Sequence, residues 1–284
     1  MKNNSLFRRL TISGVVAWLF VFALLPNLLL LIVSFLQRGT ASAVEPVFTL
    51  ANYLRLFDAS ILQIVLDSLK MAGLAMILCL IVGYPLAYII ARSSPGTRNV
   101  LLLLVMIPFW TNSLIRTYAL VAVLKINGVL NMFLLWTGLI DEPLRLMFTP
   151  TAVFIGLVYT LLPFMILPLY AALKALDPRL LEAGRDLGAS RLQNFLRITL
   201  PLTLPGIIAG SMLVFLPALG MFYVSDLLGG ARSMLLGNYI RDQFLVFRDL
   251  PMGSAASVTM TLVMGIMLAG YVLASRRLGK ELSL

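Results

Sequence analysis

Apolar positions run along this chain in long unbroken blocks, and the polar positions gather between them. Six blocks, roughly 14–35, 68–91, 100–124, 151–173, 201–225 and 255–275, match the length needed to cross a bilayer as a helix, about 20 apolar residues. They predict an all-α integral membrane protein with six transmembrane helices, organised as one domain over 1–284. A seventh apolar stretch, Gly128 to Ile140, ends at Asp141-Glu142-Pro143. It is too short to span and suits an interfacial or re-entrant helix. The first block follows Lys2, Arg8 and Arg9 but is too long and bulky for a cleaved signal sequence, so it reads as a retained span. Leu50, Tyr53, Leu54 and Phe57 are spaced as one face of a short helix after Thr49. Ser233 to Phe247 allows another. For both, a cover over the bundle and a surface that receives a partner are equally open.

One charged interruption stands out, Leu176 to Pro201 (LDPRLLEAGRDLGASRLQNFLRITLP). Asp177 is a candidate N-cap, with Pro178 at the first helical position, where its missing N–H is no loss. Gly188 can end that helix. Ser190 and Gln193 fit a capping box opening a second short helix, which Pro201 should stop. The product is a helix–turn–helix knob with small residues at its bend, and small residues let a backbone approach another surface.

The spacing Glu182-Ala183-Gly184, Gly188, Ile198, Leu200-Pro201 resembles the EAA loop of ABC-importer permeases, E-A-A-x-x-x-G followed after nine residues by I-x-L-P. Gly184 stands where that pattern has its third alanine. The resemblance implies the type I ABC-importer permease fold. It also implies that loop 176–200 docks a cytoplasmic ATPase through Glu182, Ala183, Gly184 and Gly188.

Composition narrows the chemistry. Of 284 residues, 60% are hydrophobic and only 12% charged, about half the charge of a soluble domain. There is no histidine and a single cysteine, Cys79, so an internal disulfide is impossible and zinc or haem sites lack their usual ligands. No cofactor is expected on this chain. The net charge of +10 would suit nucleic acid, but its distribution favours another reading. Thirteen lysines and arginines fall on the side of the termini and roughly half as many on the other, which by the positive-inside rule places both termini and loop 176–200 in the cytoplasm of a bacterial inner membrane.

Three further blocks, Ile107–Tyr118 (IPFWTNSLIRTY), Leu162–Tyr170 (LPFMILPLY) and Gly220–Gly230 (GMFYVSDLLGG), resemble the spermidine/putrescine ABC-transporter permeases of the B type. That resemblance implies a homologous second permease subunit, two ATPase subunits carrying ATP-Mg, a periplasmic polyamine-binding protein, and no nucleic acid. The chain has no G-x-x-x-x-G-K-[ST] phosphate loop, as a subunit that leaves hydrolysis to its partners should not. It is expected to be a transport subunit and not an enzyme. A permease for an anion or a metal complex is the alternative.

Residue chemistry gives a separate indication of cargo. A polyamine is a methylene chain carrying cationic amines, and its path needs carboxylates and aromatic faces, each cation–π contact contributing about 0.5–2 kcal/mol. Phe222, Tyr223 and Asp226 stand four and three apart, so both rings can share a helical face with the carboxylate. Trp110 and Asn112 stand close after Pro108, which breaks the backbone ladder within the third block. These five residues are the candidate pathway lining. The competing reading makes the aromatics an interfacial belt, lets Asn112 bond a neighbouring helix, and pairs Asp226 with Arg232. Arg116, inside the third block, needs a carboxylate on another helix or on the partner permease, or must snorkel to the headgroups.

Overall fold

The computed structural model describes residues 3–39, 43–230 and 233–281. Its elements in order are α1 (Asn3–Leu19), α2 (Leu25–Ser34), β1 (Leu36–Gln37), β2 (Glu45–Phe48), α3 (Ala51–Arg55), α4 (Ala59–Arg92), α5 (Pro95–Trp110), α6 (Ser113–Leu124) and α7 (Val129–Trp136). These are followed by α8 (Pro150–Ala175), α9 (Pro178–Asp186), α10 (Arg191–Asn194), α11 (Leu200–Gly220), α12 (Phe222–Val224), α13 (Leu236–Leu245) and α14 (Leu250–Glu281). Single π turns at Phe20–Leu24, Phe195–Thr199 and Ser225–Gly229 join or extend neighbouring helices. Among the described residues, six helical stretches are long and apolar enough to cross a membrane.

Two compact units are formed. The smaller gathers the described residues up to Leu62 with Tyr239–Gly265. β1 and β2 pair antiparallel, and α3 folds back beneath them. Asn52 donates to the carbonyls of Ser34 (3.0 Å) and Leu36 (2.9 Å), and the Phe35 ring stacks on Phe48. Asp249, its side chain 2% exposed, caps α14 by accepting from Met252 N at 3.1 Å. It also lies 3.6 Å from both Arg38 and Arg55. Tyr239 lies in the same unit, and its phenol is pushed above its ordinary value mainly by burial, with Asp249 adding to the shift and Arg55 opposing it.

The larger unit gathers Gln63–Asn238 with the described residues from Ile266 on, and α8 is its axis. Val153, Leu157, Leu161, Met165 and Leu169 recur every fourth residue and are fully buried, which is the stripe a helix presents to a partner along its whole length. The partner is α11. A Cβ on Gly206 would run into Ala172 and the Pro168 carbonyl, and one on Gly210 into Met165. With no hydrophobic drive between helices in lipid, such close backbone approach is what holds a membrane helix pair together.

Two expectations are corrected. The third block, 100–124, is not one helix: it divides at Thr111–Asn112 into α5 and α6. Pro108 removes a backbone donor, α5 ends two residues on, and the Asn112 side chain accepts from Leu114 N at 2.8 Å to start α6. The second correction concerns Pro201, which does not stop the helix opened at Ser190. Helical backbone runs on from Arg191 to Gly220. The π turn at Phe195–Thr199 lies just before this proline, and the wider turn takes up the clash a proline ring makes with the preceding turn. The π turn at Phe20–Leu24 lies before Pro26 in the same way.

Candidate functional site

Asp177 adopts extended backbone and its carboxylate accepts from Arg179 N at 3.0 Å, so α9 starts where the cap and Pro178 require. It ends in a Schellman turn. Gly188 N donates to the Arg185 carbonyl at 2.8 Å and Ala189 N to that of Gly184 at 3.0 Å, with Gly188 at φ 80°. Ser190 and Gln193 then form both bonds of the capping box, 3.2 and 2.8 Å. The bend is locked from inside by Asn194, buried and donating to the Leu181 carbonyl at 3.0 Å.

Gly184 gains a reason here. A Cβ at this position would run into Asn194 Oδ1 and Ile198 Cδ1. In this chain Asn194 occupies the space a third alanine would need, and Gly184 brings α9 against the following turn. Glu182, Ala183 and Gly188 are exposed, and Leu187 at the crest is 89% exposed. The loop therefore presents a locally bonded backbone with a bare leucine on its crest and no ion pair on Glu182 among the described residues.

At the other end of α11 the helix breaks at Met221, and α12 with its π turn carries Phe222, Tyr223 and Asp226. The two rings meet edge to face at 6.2 Å. Asn238, on α13, donates to the Asp226 carboxylate and, at 3.1 Å, to the Phe222 carbonyl, while its own oxygen accepts from Leu235 N at 3.2 Å. The clamp was invisible in the sequence, because it joins residues twelve apart across a loop. Arg232, the rival partner for Asp226, lies outside the described residues. Among the described residues Trp110 and Asn112 make no hydrogen bond or ring contact to this cluster. Trp110 is 75% exposed and Asn112 spends its oxygen on the α6 cap. Arg116, on the same helix, has a buried Nε with no hydrogen-bond partner and forms no ion pair among the described residues.

A family model described as the binding-protein-dependent transport system inner membrane component matches residues 80–281. The chain is 55% identical over 283 residues to the spermidine/putrescine transport system permease protein PotB of Salmonella typhimurium, covering 100% of this chain and 99% of that one. It is 56% identical to the protein of the same name from Escherichia coli, covering 96% and 99%. The structure superposes on a chain of a bacterial ABC transporter that imports the acidic polysaccharide alginate, with a TM-score of 0.79 and 21% identity over 97% of this chain and 96% of that one. It also superposes on a chain of the MetNI methionine ABC transporter, with a TM-score of 0.57 and 17% identity over 76% and 95%. Six apolar spans among the described residues, a capped knob between two of them and identity along the whole chain lead to one assignment: the chain belongs to the binding-protein-dependent transport system inner membrane components, the multi-pass permease subunits of ABC importers.

Proposed function

We propose that this chain forms half of the translocation pathway of an ATP-driven polyamine importer, with spermidine and putrescine as the cargo class. The observation that carries the cargo is identity above 50% along the whole chain with permeases named for those two amines. A homologous permease completes the pathway, two ATPase subunits bearing ATP-Mg drive it, and a periplasmic polyamine-binding protein delivers the cargo. Both termini face the cytoplasm, as the roughly two-to-one partition of cations supports. Loop 176–200 docks the ATPase, and its double capping supports this reading: both of its helices hold their shape through local bonds. Asp226, Phe222 and Tyr223 receive the cation at the outer end of the path, with Trp110 and Asn112 further lining.

Arg116, whose buried Nε has no hydrogen-bond partner among the described residues, favours the alternative, a permease for an anion. Cells carrying the chain and its partner subunits should accumulate labelled spermidine or putrescine and not sulfate or molybdate, and the purified complex should contain the four partner subunits. Accumulation of either anion without a polyamine would replace this reading with the alternative.

A further inference from the structure

Two cavities adjoin one another where α4 meets the loop. One, of about 270 Å³, is lined only by Tyr84, Pro85, Tyr88, Ile89 and Phe195. The next, of about 220 Å³, shares Tyr88 and Phe195 with it but is polar, adding Arg185 and Arg191 beside Asn194 and Thr199. The two guanidiniums have no carboxylate partner among the described residues. A third, Arg92, stands 5.5 Å above the Tyr88 ring. The Tyr84 hydroxyl is bonded to Thr203 Oγ1 at 2.9 Å, so that residue offers the apolar cavity only its ring.

We infer that this pair of cavities is a binding site for one anionic glycerophospholipid. Its acyl chain lies in the Tyr84–Ile89 groove and its phosphate sits between Arg185 and Arg191. Continuity selects this occupant. The apolar groove follows α4 over Tyr84–Ile89, and the charged cavity meets it at Tyr88, one turn before α4 ends at Arg92. A molecule that fills both must be apolar in the bilayer and anionic at its surface. Basic pockets beside membrane helices at the headgroup level hold anionic lipids for this reason. Guanidinium is the side chain whose fork best matches a phosphate. Together the cavities fall within the roughly 300–1,000 Å³ of ordinary ligand sites. An acidic surface of the ATPase could meet the same arginines, but it would have no use for a groove along α4. The site needs only that loop 176–200 lies at a membrane face, so it stands apart from the cargo and from which side that face is.

The test uses the assembled transporter in nanodiscs of phosphatidylcholine doped with phosphatidylglycerol, with retained lipid counted by native mass spectrometry. The wild type should retain phosphatidylglycerol in excess over phosphatidylcholine, and inorganic phosphate should not displace it. Arg185→Gln with Arg191→Gln should cut retention roughly tenfold or more, since each charge-assisted contact is worth about that factor. Ile89→Trp, which blocks the groove without touching charge, should also lower it, and serves should the arginine variant fail to fold. Equal retention of the two lipids by the wild type, or unchanged retention in either variant, overturns the site. Loss of the ATPase subunits from the arginine variant with lipid retention intact assigns the arginines to protein docking instead. Displacement by phosphate reduces the site to an anion pocket and removes the acyl groove from it.

Discussion

At the scale of single residues, the loop turns on two glycines used for different reasons. Gly188 sits at φ 80°, so Gly188→Ala should cost about 1–2 kcal/mol of stability through left-handed backbone alone. Gly184 has ordinary backbone but no room, and Gly184→Ala should cost about 1–3 kcal/mol through overpacking against Asn194. Thermal melting of the purified chain checks both. Combining Gly184→Ala with Asn194→Ala should cost less than the two changes summed, because the second removes the overlap the first creates; strict additivity would mean Asn194 is not what excludes the methyl. At the outer cluster, Asp226→Asn should lower polyamine uptake far more than it lowers assembly. Tyr223→Ala should weaken uptake by roughly 2- to 30-fold and Tyr223→Phe hardly at all, since a cation–π contact uses the ring. Uptake measured beside subunit recovery separates these outcomes; an Asp226→Asn complex that transports normally makes the carboxylate structural, held for Asn238. Asp249 is structural by its geometry. Asp249→Ala loses a cap and exposes two arginines to each other, whereas Asp249→Asn keeps an acceptor for Met252 N. The alanine variant should lose about 1–3 kcal/mol and the asparagine variant less, read as protease sensitivity of the smaller unit.

At the scale of elements, local signals were legible wherever the cause was local. Asp177-Pro178, Gly188 and Ser190–Gln193 predict helix ends that the structure forms with the expected bonds. The short helices at Ala51–Arg55 and Leu236–Leu245 fall within the stretches where spacing places them. Apolar runs place five of the six spanning stretches; the third lies over Ser113–Trp136 and not 100–124, and it takes in Val129–Trp136 from the stretch read as too short to span. A hydropathy run is blind to backbone geometry: in the third block Pro108 alone signals an interruption, and the division falls one turn after it. Prolines misled in both directions. Pro201 was expected to end a helix that a π turn carries past it, while the chain breaks not at Pro108 but one turn later, where a capping side chain is available. The Asn238 clamp and the Asn194 lock had no signal at all: an asparagine in a loop or a short helix names no partner until the chain folds.

At the scale of the whole molecule, much of the apolar surface is uncovered. In the Thr11–Ser34 span only Ser34, at its end, is buried within the chain, whereas in Pro150–Ala175 a continuous stripe from Ala152 to Leu173 is. A helix with no covered face must be clad by lipid or by another subunit, which is the condition of a chain that works only as part of an assembly. Its orientation is open to direct chemistry. With Cys79 replaced by alanine, a cysteine at exposed Asp141 should react with an impermeant thiol reagent added outside intact cells, and one at Leu187 should react only after lysis. The opposite pattern would invert the molecule and remove the loop from the ATPase.

The helical stretch that runs past Pro201 has a mechanical consequence. From Arg191 to Gly220 the backbone is one rod of 30 residues, about 45 Å long. One end is anchored by the capping box in the knob, and the other stops at Met221, immediately before Phe222 and Asp226. A rod does not absorb a push; it tilts or turns, so a displacement imposed on the knob is delivered as torque at Met221. The π turn sets the phase of that shaft. Five residues in this wide turn sweep about the same angle as four in an ordinary one, so it absorbs its extra residue, whereas one residue inserted within Leu200–Gly220 would rotate the knob by about 100° relative to Met221. Such a variant should hydrolyse ATP without moving cargo, a broken crank on an intact engine.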